Sequence, residues 1–194
     1  MNRTGSLARK TGETDIFVSL DLDGEGVSQV DTGIGFFDHM LSAVAKHGLI
    51  DLTVRVQGDL AVDGHHTVED TGIVLGAALA QALGDKKGIR RVGSCFLPMD
   101  ESLAFCALDI SGRPYLAFDA AFPAEMCGGY ASELTEEFFR AVSVSSGITL
   151  HLKAEGRNTH HMIEALYKAF ARALCDAAAL DPRVKGVPST KGVL

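Results

Sequence analysis

The chain contains 194 residues, of which 46% are hydrophobic and 22% are charged, and its formal net charge is −7. This length predicts one globular domain or two small repeats, with enough apolar residues for a core. The net negative charge argues against nucleic acid and acidic membrane surfaces as partners.

The cysteines and the apolar segments predict a cytoplasmic location. The four cysteines are widely spaced and form no CxxC pair, which is typical of free thiols in a reducing compartment. The first residues lack the apolar stretch of a secretory signal, and the longest apolar run, residues 72–83, is too short to cross a bilayer.

The first half of the chain predicts a strand, a helix, a strand and a second helix. Apolar and polar residues alternate in IFVSLDL at residues 16–22, which is a strand pattern. A helix over residues 36–46 ends at His47-Gly48, and a strand follows over residues 49–56. A turn at Asp63-Gly64 then leads through HHTVE into a helix over residues 67–83.

The second half repeats the helix, strand and helix, over residues 134–144, 148–154 and 164–179. Further strands are predicted between the halves, over residues 101–110 and 115–120. We therefore expect an α+β fold with duplicated helix–strand–helix half-domains and sheets that carry helices on one side. The expected single domain consists of halves at about residues 1–95 and 96–182 and a substrate-binding tail at 183–194.

An HHxxE motif occurs once in each half, at residues 65–69 and 160–164. On a helix, a histidine can share a face with the glutamate three or four residues later. Adjacent histidines, however, point about 100° apart, so one motif cannot easily wrap all three side chains around one ion. The pair of motifs therefore predicts two metal sites assembled from different parts of the fold or from neighbouring subunits.

Five histidines and three carboxylates are the candidate metal ligands, which gives four for each of two ions. Four protein ligands on a six-coordinate ion leave positions for substrate or water, as in catalytic sites. His47 and His151 are excluded, because the first suits a helix C-terminus and the second lies on the polar side of its strand. The candidates are His39, His65, His66, Glu69, Glu137, His160, His161 and Glu164.

A second group of residues has the chemistry of an anion site. Arginine and lysine side chains are the usual partners of phosphate, and hydroxyls and backbone N–H groups complete such cradles. The candidates are Arg90, Arg91, Arg113, Lys168 and the compact polar segment PSTKG at residues 188–192.

Several segments together resemble the imidazoleglycerol-phosphate dehydratase family. They are FFDHML, DGHHTVEDTGIVLG, SGRP, RNTHHMIE with the ALYKAFARA that follows it, and PSTKGVL. The resemblance implies that imidazole glycerol phosphate loses water to give imidazole acetol phosphate in histidine biosynthesis. It also implies two manganese ions per active site and a homo-oligomer of 24 subunits with sites at subunit contacts.

The resemblance also implies roles for individual residues. The implied metal ligands are the candidates above other than Glu137, and the implied phosphate contacts are Arg91, Arg113, Ser189 and Lys191. Lys168 and Glu13 would face the substrate, and the catalytic candidates are Glu164, Glu13 and His66.

One position departs from the family pattern. The family usually has a histidine before the Phe-Phe of the second half, where this chain has Glu137. A carboxylate can take the same manganese position, so we expect substitution of the ligand rather than its loss.

Two other classes of function fit the same residues. One is a metal-dependent hydrolase or isomerase that acts on another small phosphate ester. The other is a non-catalytic oligomeric metal-binding protein, which would not need a phosphate clamp. A zincin-type protease is disfavoured, because neither HExxH nor HxxEH occurs in the chain.

Overall fold

The computed structural model describes residues 3–194, which form two units of similar make-up. The first unit contains β1 (Thr4–Lys10), β2 (Thr14–Asp21), β3 (Ser28–Asp31), α1 (Gly35–Gly48), β4 (Asp51–Gly58) and α2 (His65–Leu83). The second contains β5 (Val92–Met99), β6 (Ser102–Asp109), β7 (Tyr115–Asp119), the short β8 (Met126–Cys127) and β9 (Tyr130–Ala131), α3 (Leu134–Ser146), β10 (Thr149–Glu155) and α4 (Thr159–Ala178).

The two main sheets have the same strand order and the same directions. The first runs β1-β2-β4-β3 and the second β5-β6-β10-β7. In each sheet the last pair, β4 with β3 or β10 with β7, is parallel, and the other neighbours are antiparallel. The expected duplication is therefore confirmed. The expected boundary between the halves, at about residue 95, lies within β5.

Helices cover one face of each sheet and join the two units. Helix α2 packs on β1 and β2, and α4 packs on β5 and β6. Across the units α2 contacts α3 and α1 contacts α4, so the helices form a layer between the sheets. Strand β2 shows the consequence, because its residues alternate between the buried helical side and the outer side. The predicted α+β class, with helices on one side of each sheet, is confirmed.

One continuous hydrophobic core runs through the helical layer. Aromatic side chains from α3 and α4 fill its centre: Phe138 stacks on Tyr167 with ring centroids 5.2 Å apart, and Phe139 packs edge-on against Phe170 at 5.3 Å. Burial of such large rings supplies much of the driving force for packing α3 against α4.

The predicted helix starts were wrong at both motifs. Helix α2 begins at His65, and α4 begins at Thr159, five residues before the predicted start at Glu164. The side chain of Asn158 accepts a hydrogen bond from the backbone N–H of His161, which is an N-cap. The whole of each HHxxE therefore lies on the first turns of a helix.

The second predicted strand also begins later than expected, at Asp51 rather than residue 49. Leu49 adopts a left-handed φ of 54° that ends α1, so it cannot lie in the strand. Strands β1, β3 and β5 were not predicted. No helix within residues 3–194 combines the length and the apolar character needed to span a membrane.

Candidate metal and substrate site

The second motif forms a compact ligand cluster with α1. His160 Nε2 lies 3.1 Å from Glu164 Oε2, and His39 Nε2 lies 3.5 Å from the same oxygen. The ligand atoms of these three residues lie within 4.8 Å of one another, and no other His, Cys, Asp or Glu group within residues 3–194 is so closely gathered. The structure thus brings together three of the predicted metal ligands, which come from two helices of different units.

Lys168 contacts this cluster rather than the predicted anion site. Its Nζ lies 2.6 Å from Glu164 Oε1, one helical turn along α4. Burial acts to raise the pKa of Glu164, but the hydrogen bond and the charge of Lys168 hold that pKa below its ordinary value. Glu164 is therefore an ionised carboxylate at neutral pH even though its side chain is only 8% exposed.

In the first half of the chain, only two of the three residues that correspond to this cluster lie together. His65 Nε2 lies 3.6 Å from Glu69 Oε2. Alignment of the halves on their motifs sets Glu137 of α3 against His39 of α1, but the Glu137 carboxylate faces Arg140, with Oε2 3.7 Å from Nε. A cavity of about 470 Å³ opens beside His65, at the starts of α1, α2 and α3.

The second histidine of each motif points to a different set of partners. His66 places Nδ1 3.0 Å from Asp59 Oδ2 and Nε2 3.7 Å from Glu13 Oε1. In both motifs the two histidine rings are nearly perpendicular, at 87° for His65 and His66 and 81° for the second pair. This divergence is what the helical geometry predicted, and we call His66 and His161 the outward histidines.

His161 repeats the arrangement with other carboxylates. Its Nδ1 lies 2.8 Å from Glu101 Oε2, and its Nε2 lies 3.7 Å from Asp100 Oδ2. The hydrogen bond from His161 lowers the pKa of Glu101 to about 2, and the same bond raises the pKa of His161. The hydrogen bond to Asp59 likewise raises the pKa of His66.

Sequence reasoning did not find Asp59, Asp100 and Glu101. Asp59 lies only seven residues before His66, so a carboxylate in the loop before the motif was a usable signal. Glu101 lies 60 residues from His161 in the sequence, and no local pattern links the two.

The predicted phosphate contacts meet in a separate open pocket of about 300 Å³. Its lining includes four residues that the sequence singled out, namely Arg91, Arg113, Ser189 and Lys191. Arg91 is fixed by Asp109, with Nε 2.6 Å from Oδ1 and Nη2 2.9 Å from Oδ2, and its Nη1 donates to the carbonyl of Pro188 at 2.8 Å. Arg91 therefore holds the PSTKG segment against the end of the sheet.

This pocket and the outward histidine His161 lie at opposite ends of the second sheet. Strand β10 pairs Thr149 with Asp109 at the pocket end and Glu155 with Leu103 at the other end, where α4 begins. A seven-residue strand is about 20 Å long, which exceeds the length of a small phosphate ester. One chain therefore does not bring its own pocket to its own His161.

A comparison with protein families matches residues 32–174 to the model described as imidazoleglycerol-phosphate dehydratase. The chain belongs to the imidazoleglycerol-phosphate dehydratase family. The dehydratase of Symbiobacterium thermophilum is 66% identical over 193 residues, which cover 99% of this chain and 93% of that protein. The dehydratase of Acetivibrio thermocellus is 62% identical over 195 residues, with both chains fully covered.

Solved dehydratase structures share the fold. That of Staphylococcus aureus subsp. aureus N315 has a TM-score of 0.84 and 41% identity, and covers 92% of this chain and 99% of its own. That of Pyrococcus furiosus also has a TM-score of 0.84, with 36% identity, and covers 97% of this chain and all of its own. The family recognised from the motifs is confirmed, and the chain is a hydro-lyase of histidine biosynthesis.

The ligand cluster fits the metal that the dehydratase family suggests. Imidazole nitrogen and carboxylate oxygen form a donor set suited to divalent ions such as manganese or zinc. Both histidines direct Nε2 at the buried, ionised Glu164, so a cation between the three would meet two lone pairs and a negative charge.

Proposed function

We propose that this chain is a manganese-dependent dehydratase that converts imidazole glycerol phosphate to imidazole acetol phosphate. The cluster of His39, His160 and Glu164 is the observation that carries the proposal, because it gathers a metal donor set within a dehydratase fold. The relatives named above bear the name of this enzyme.

Two Mn²⁺ ions per active site are part of the proposal. His39, His160 and Glu164 would hold one ion, and His65, Glu69 and Glu137 would hold the other. The outward histidines would complete the two sites from neighbouring copies, since they face away from the ligands of their own motifs. When bound, the metal supplies Lewis-acid polarisation and a template for the imidazole ring.

Proton transfer falls to the carboxylates around these histidines. The C–H to be broken has no neighbouring carbonyl, so a base needs a preorganised partner to remove the proton. Glu13 is 56% exposed and stands 3.7 Å from His66 Nε2, so Glu13, with His66 beside it, can exchange a proton with a bound substrate. Glu164, held ionised by Lys168, is the other candidate base.

The phosphate group would bind in the pocket of Arg91, Arg113, Ser189 and Lys191. Binding energy gained there orients the substrate far from the bond that breaks. Because this pocket and His161 lie at opposite ends of the sheet, we propose that each site takes its phosphate pocket and its outward histidine from different copies, in a homo-oligomer of 24 subunits.

Three further proposals concern location and partners. The dehydratase works in the cytoplasm, which agrees with four cysteines that are all free. It has no nucleic-acid partner, which the net charge of −7 supports, and no membrane partner.

The decisive experiment incubates metal-stripped protein with imidazole glycerol phosphate, with and without Mn²⁺, and assays imidazole acetol phosphate. We expect turnover only with Mn²⁺, and we expect Lys191→Ala to raise KM. Release of inorganic phosphate or an isomerised product would instead favour the hydrolase or isomerase. Tight Mn²⁺ binding with no chemistry, unchanged in Lys191→Ala, would favour a metal-binding protein.

A further inference from the structure

Each outward histidine forms a hydrogen bond through Nδ1 with a carboxylate that lies outside the HHxxE motifs. Asp59 contacts Nδ1 of His66 at 3.0 Å, and Glu101 contacts Nδ1 of His161 at 2.8 Å. A carboxylate at neutral pH only accepts hydrogen bonds, so each Nδ1 must carry the proton. The lone pair of a neutral ring then lies on Nε2, which points away from the carboxylate.

We propose that Asp59 and Glu101 are positioning residues that fix the tautomer and the direction of the outward histidines. The proposal deepens the proposed function, since it treats Nε2 of His66 and of His161 as the metal-facing atoms. Carboxylates that hold the second nitrogen of a ligand histidine are a general feature of metal sites and raise the basicity of the ligand.

The two carboxylate oxygens of Glu101 accept hydrogen bonds from different partners. Oε1 accepts hydrogen bonds from the backbone N–H groups of Arg157 at 3.1 Å and Asn158 at 2.8 Å, and from the hydroxyl of Ser102 at 3.0 Å. Oε2 accepts the hydrogen bond from His161. One side chain thus fastens the turn that caps α4 and also orients a ring on its first turn.

The carboxylate of Asp59 contacts the ring of His66 through both oxygens. Its Oδ1 and Oδ2 lie 3.2 Å and 3.0 Å from Nδ1 of His66, and within residues 3–194 its side chain has no other hydrogen-bond partner. An amide in its place is free to rotate and present its oxygen to the ring. The two positions therefore respond differently to the same chemical change.

Glu101→Gln is expected to change the orientation or the tautomer of the His161 ring without disrupting the turn before α4. The glutamine oxygen can replace Oε1 and keep the turn, but its NH₂ group then faces Nδ1 of His161. Rotation of the amide would set the NH₂ group against the two backbone N–H donors, so the ring must instead turn or shift its proton to Nε2. A histidine protonated at Nε2 cannot ligate through that atom.

The test compares Glu101→Gln with Asp59→Ala and with its control Asp59→Asn in the assembled protein. Manganese affinity, measured by EPR titration, should fall about 10- to 100-fold at one class of site in Glu101→Gln and in Asp59→Ala. Asp59→Asn should lose less than about tenfold, because the rotated amide still accepts the hydrogen bond. Thermal unfolding of the metal-free proteins checks that each variant is folded.

Histidine ¹⁵N NMR of the metal-free protein reads the tautomer directly. At alkaline pH, where both rings are neutral, the wild-type outward histidines should carry the proton on Nδ1, and Glu101→Gln should shift one histidine to the other tautomer. Wild-type tautomers together with wild-type Mn²⁺ affinity in Glu101→Gln and Asp59→Ala would overturn the proposal. If the wild type binds no Mn²⁺, the proposed function fails, and the tautomers alone decide whether the two carboxylates position the rings.

Discussion

Glu137 is the residue at which the two halves differ most in ligand chemistry. Its counterpart in the first half is a histidine, His39, which lies 3.5 Å from Glu164. Glu137 instead faces Arg140, whose guanidinium also pairs with Glu136. On an exposed helical surface such pairs are weak, so the pairing with Arg140 would not prevent the Glu137 carboxylate from binding the proposed second cation.

We predict that Glu137→Ala weakens Mn²⁺ binding at one of two classes of site by more than about tenfold. Removal of a metal ligand should reduce the affinity at least as much as removal of a residue that hydrogen-bonds to a ligand. Glu137→His should bind both ions, because imidazole suits the same metals. EPR titration measures both classes. Two unchanged classes of site in Glu137→Ala would exclude Glu137 as a ligand.

The pair of Arg3 and Asp23 provides a prediction about pH. Arg3 Nε donates to Asp23 Oδ2 at 2.9 Å, and this hydrogen bond lowers the pKa of Asp23. An aspartate with a lowered folded pKa stabilises the fold above its unfolded pKa of about 3.9, and this contribution is lost as the pH falls through the folded pKa.

Asp23→Asn should therefore lower the free energy of unfolding near neutral pH, and the deficit should shrink as the pH falls below about 3.9 and Asp23 becomes protonated. Urea unfolding near neutral pH and at an acidic pH well below about 3.9 measures the deficit. Asp23 is partly exposed, so the deficit should be small. A deficit of the same size at both pH values would show that the charge of Asp23 is not its source.

At the scale of single residues, sequence predicted what local spacing encodes. The motif glutamates and histidines lie within one helical turn of each other, so their grouping follows from the helix alone. Glu101 and His161 meet only after β5, β6, β10 and α4 have assembled, and no spacing rule anticipates that contact.

At the scale of elements, two glycines allow the helices to lie close to the sheets. A methyl group on Gly5 of β1 would lie 1.9 Å from the carbonyl oxygen of Ala78 in α2, and one on Gly93 of β5 would lie 2.0 Å from that of Ala173 in α4. The two contacts occupy matching places in the two units. Each sheet can thus approach its helix only where a side chain is absent.

We predict that Gly5→Ala and Gly93→Ala each destabilise the protein by about 1–3 kcal/mol, because the strand must move off its helix. Gly12→Ala is the matched control, since no atom lies within 4 Å of its added methyl group. It should change stability by less than about 0.5 kcal/mol. Chemical denaturation measures all three. Equal losses at the three positions would mean that backbone freedom, not packing, is decisive.

The same close approach explains which elements the sequence predicted. The helices and inner strands carry regular apolar spacing, so periodicity predicted them. Strand β1 is an edge strand in which only Gly5 is fully buried, and a glycine contributes no apolar side chain to a periodic pattern. Strands of this kind are recognised only once their neighbours are known.

At the scale of the whole molecule, the two proposed functional regions of one chain lie far apart. The PSTKG pocket lies at the Asp109 end of the second sheet, and His161 follows the other end. The chemistry of these residues and the family resemblance assign them to one reaction. Their separation in space depends on strand register, which local sequence patterns do not encode.

Subunit complementation tests whether different copies share a site. We predict that a chain with Arg91→Ala and Lys191→Ala, and a chain with His66→Ala and His161→Ala, are each nearly inactive alone. When the two chains are refolded together in equal amounts, up to roughly a quarter of the sites should be intact. An intact site takes its phosphate pocket from the histidine variant and its outward histidine from the pocket variant. Self-mixtures are the controls. No recovery in assembled mixtures would contradict shared sites.

The outward histidines take their supporting carboxylates from places that do not correspond between the halves. His66 is held by Asp59 from the loop after β4, whereas His161 is held by Glu101 from the turn between β5 and β6, the turn that carries Glu13 in the first half. The effect of a substitution at one of these positions therefore cannot be inferred from the equivalent position in the other half of the chain. A substitution that is tolerated at residue 13 is no guide to residue 101, although both residues lie in the turn between the first two strands of their units.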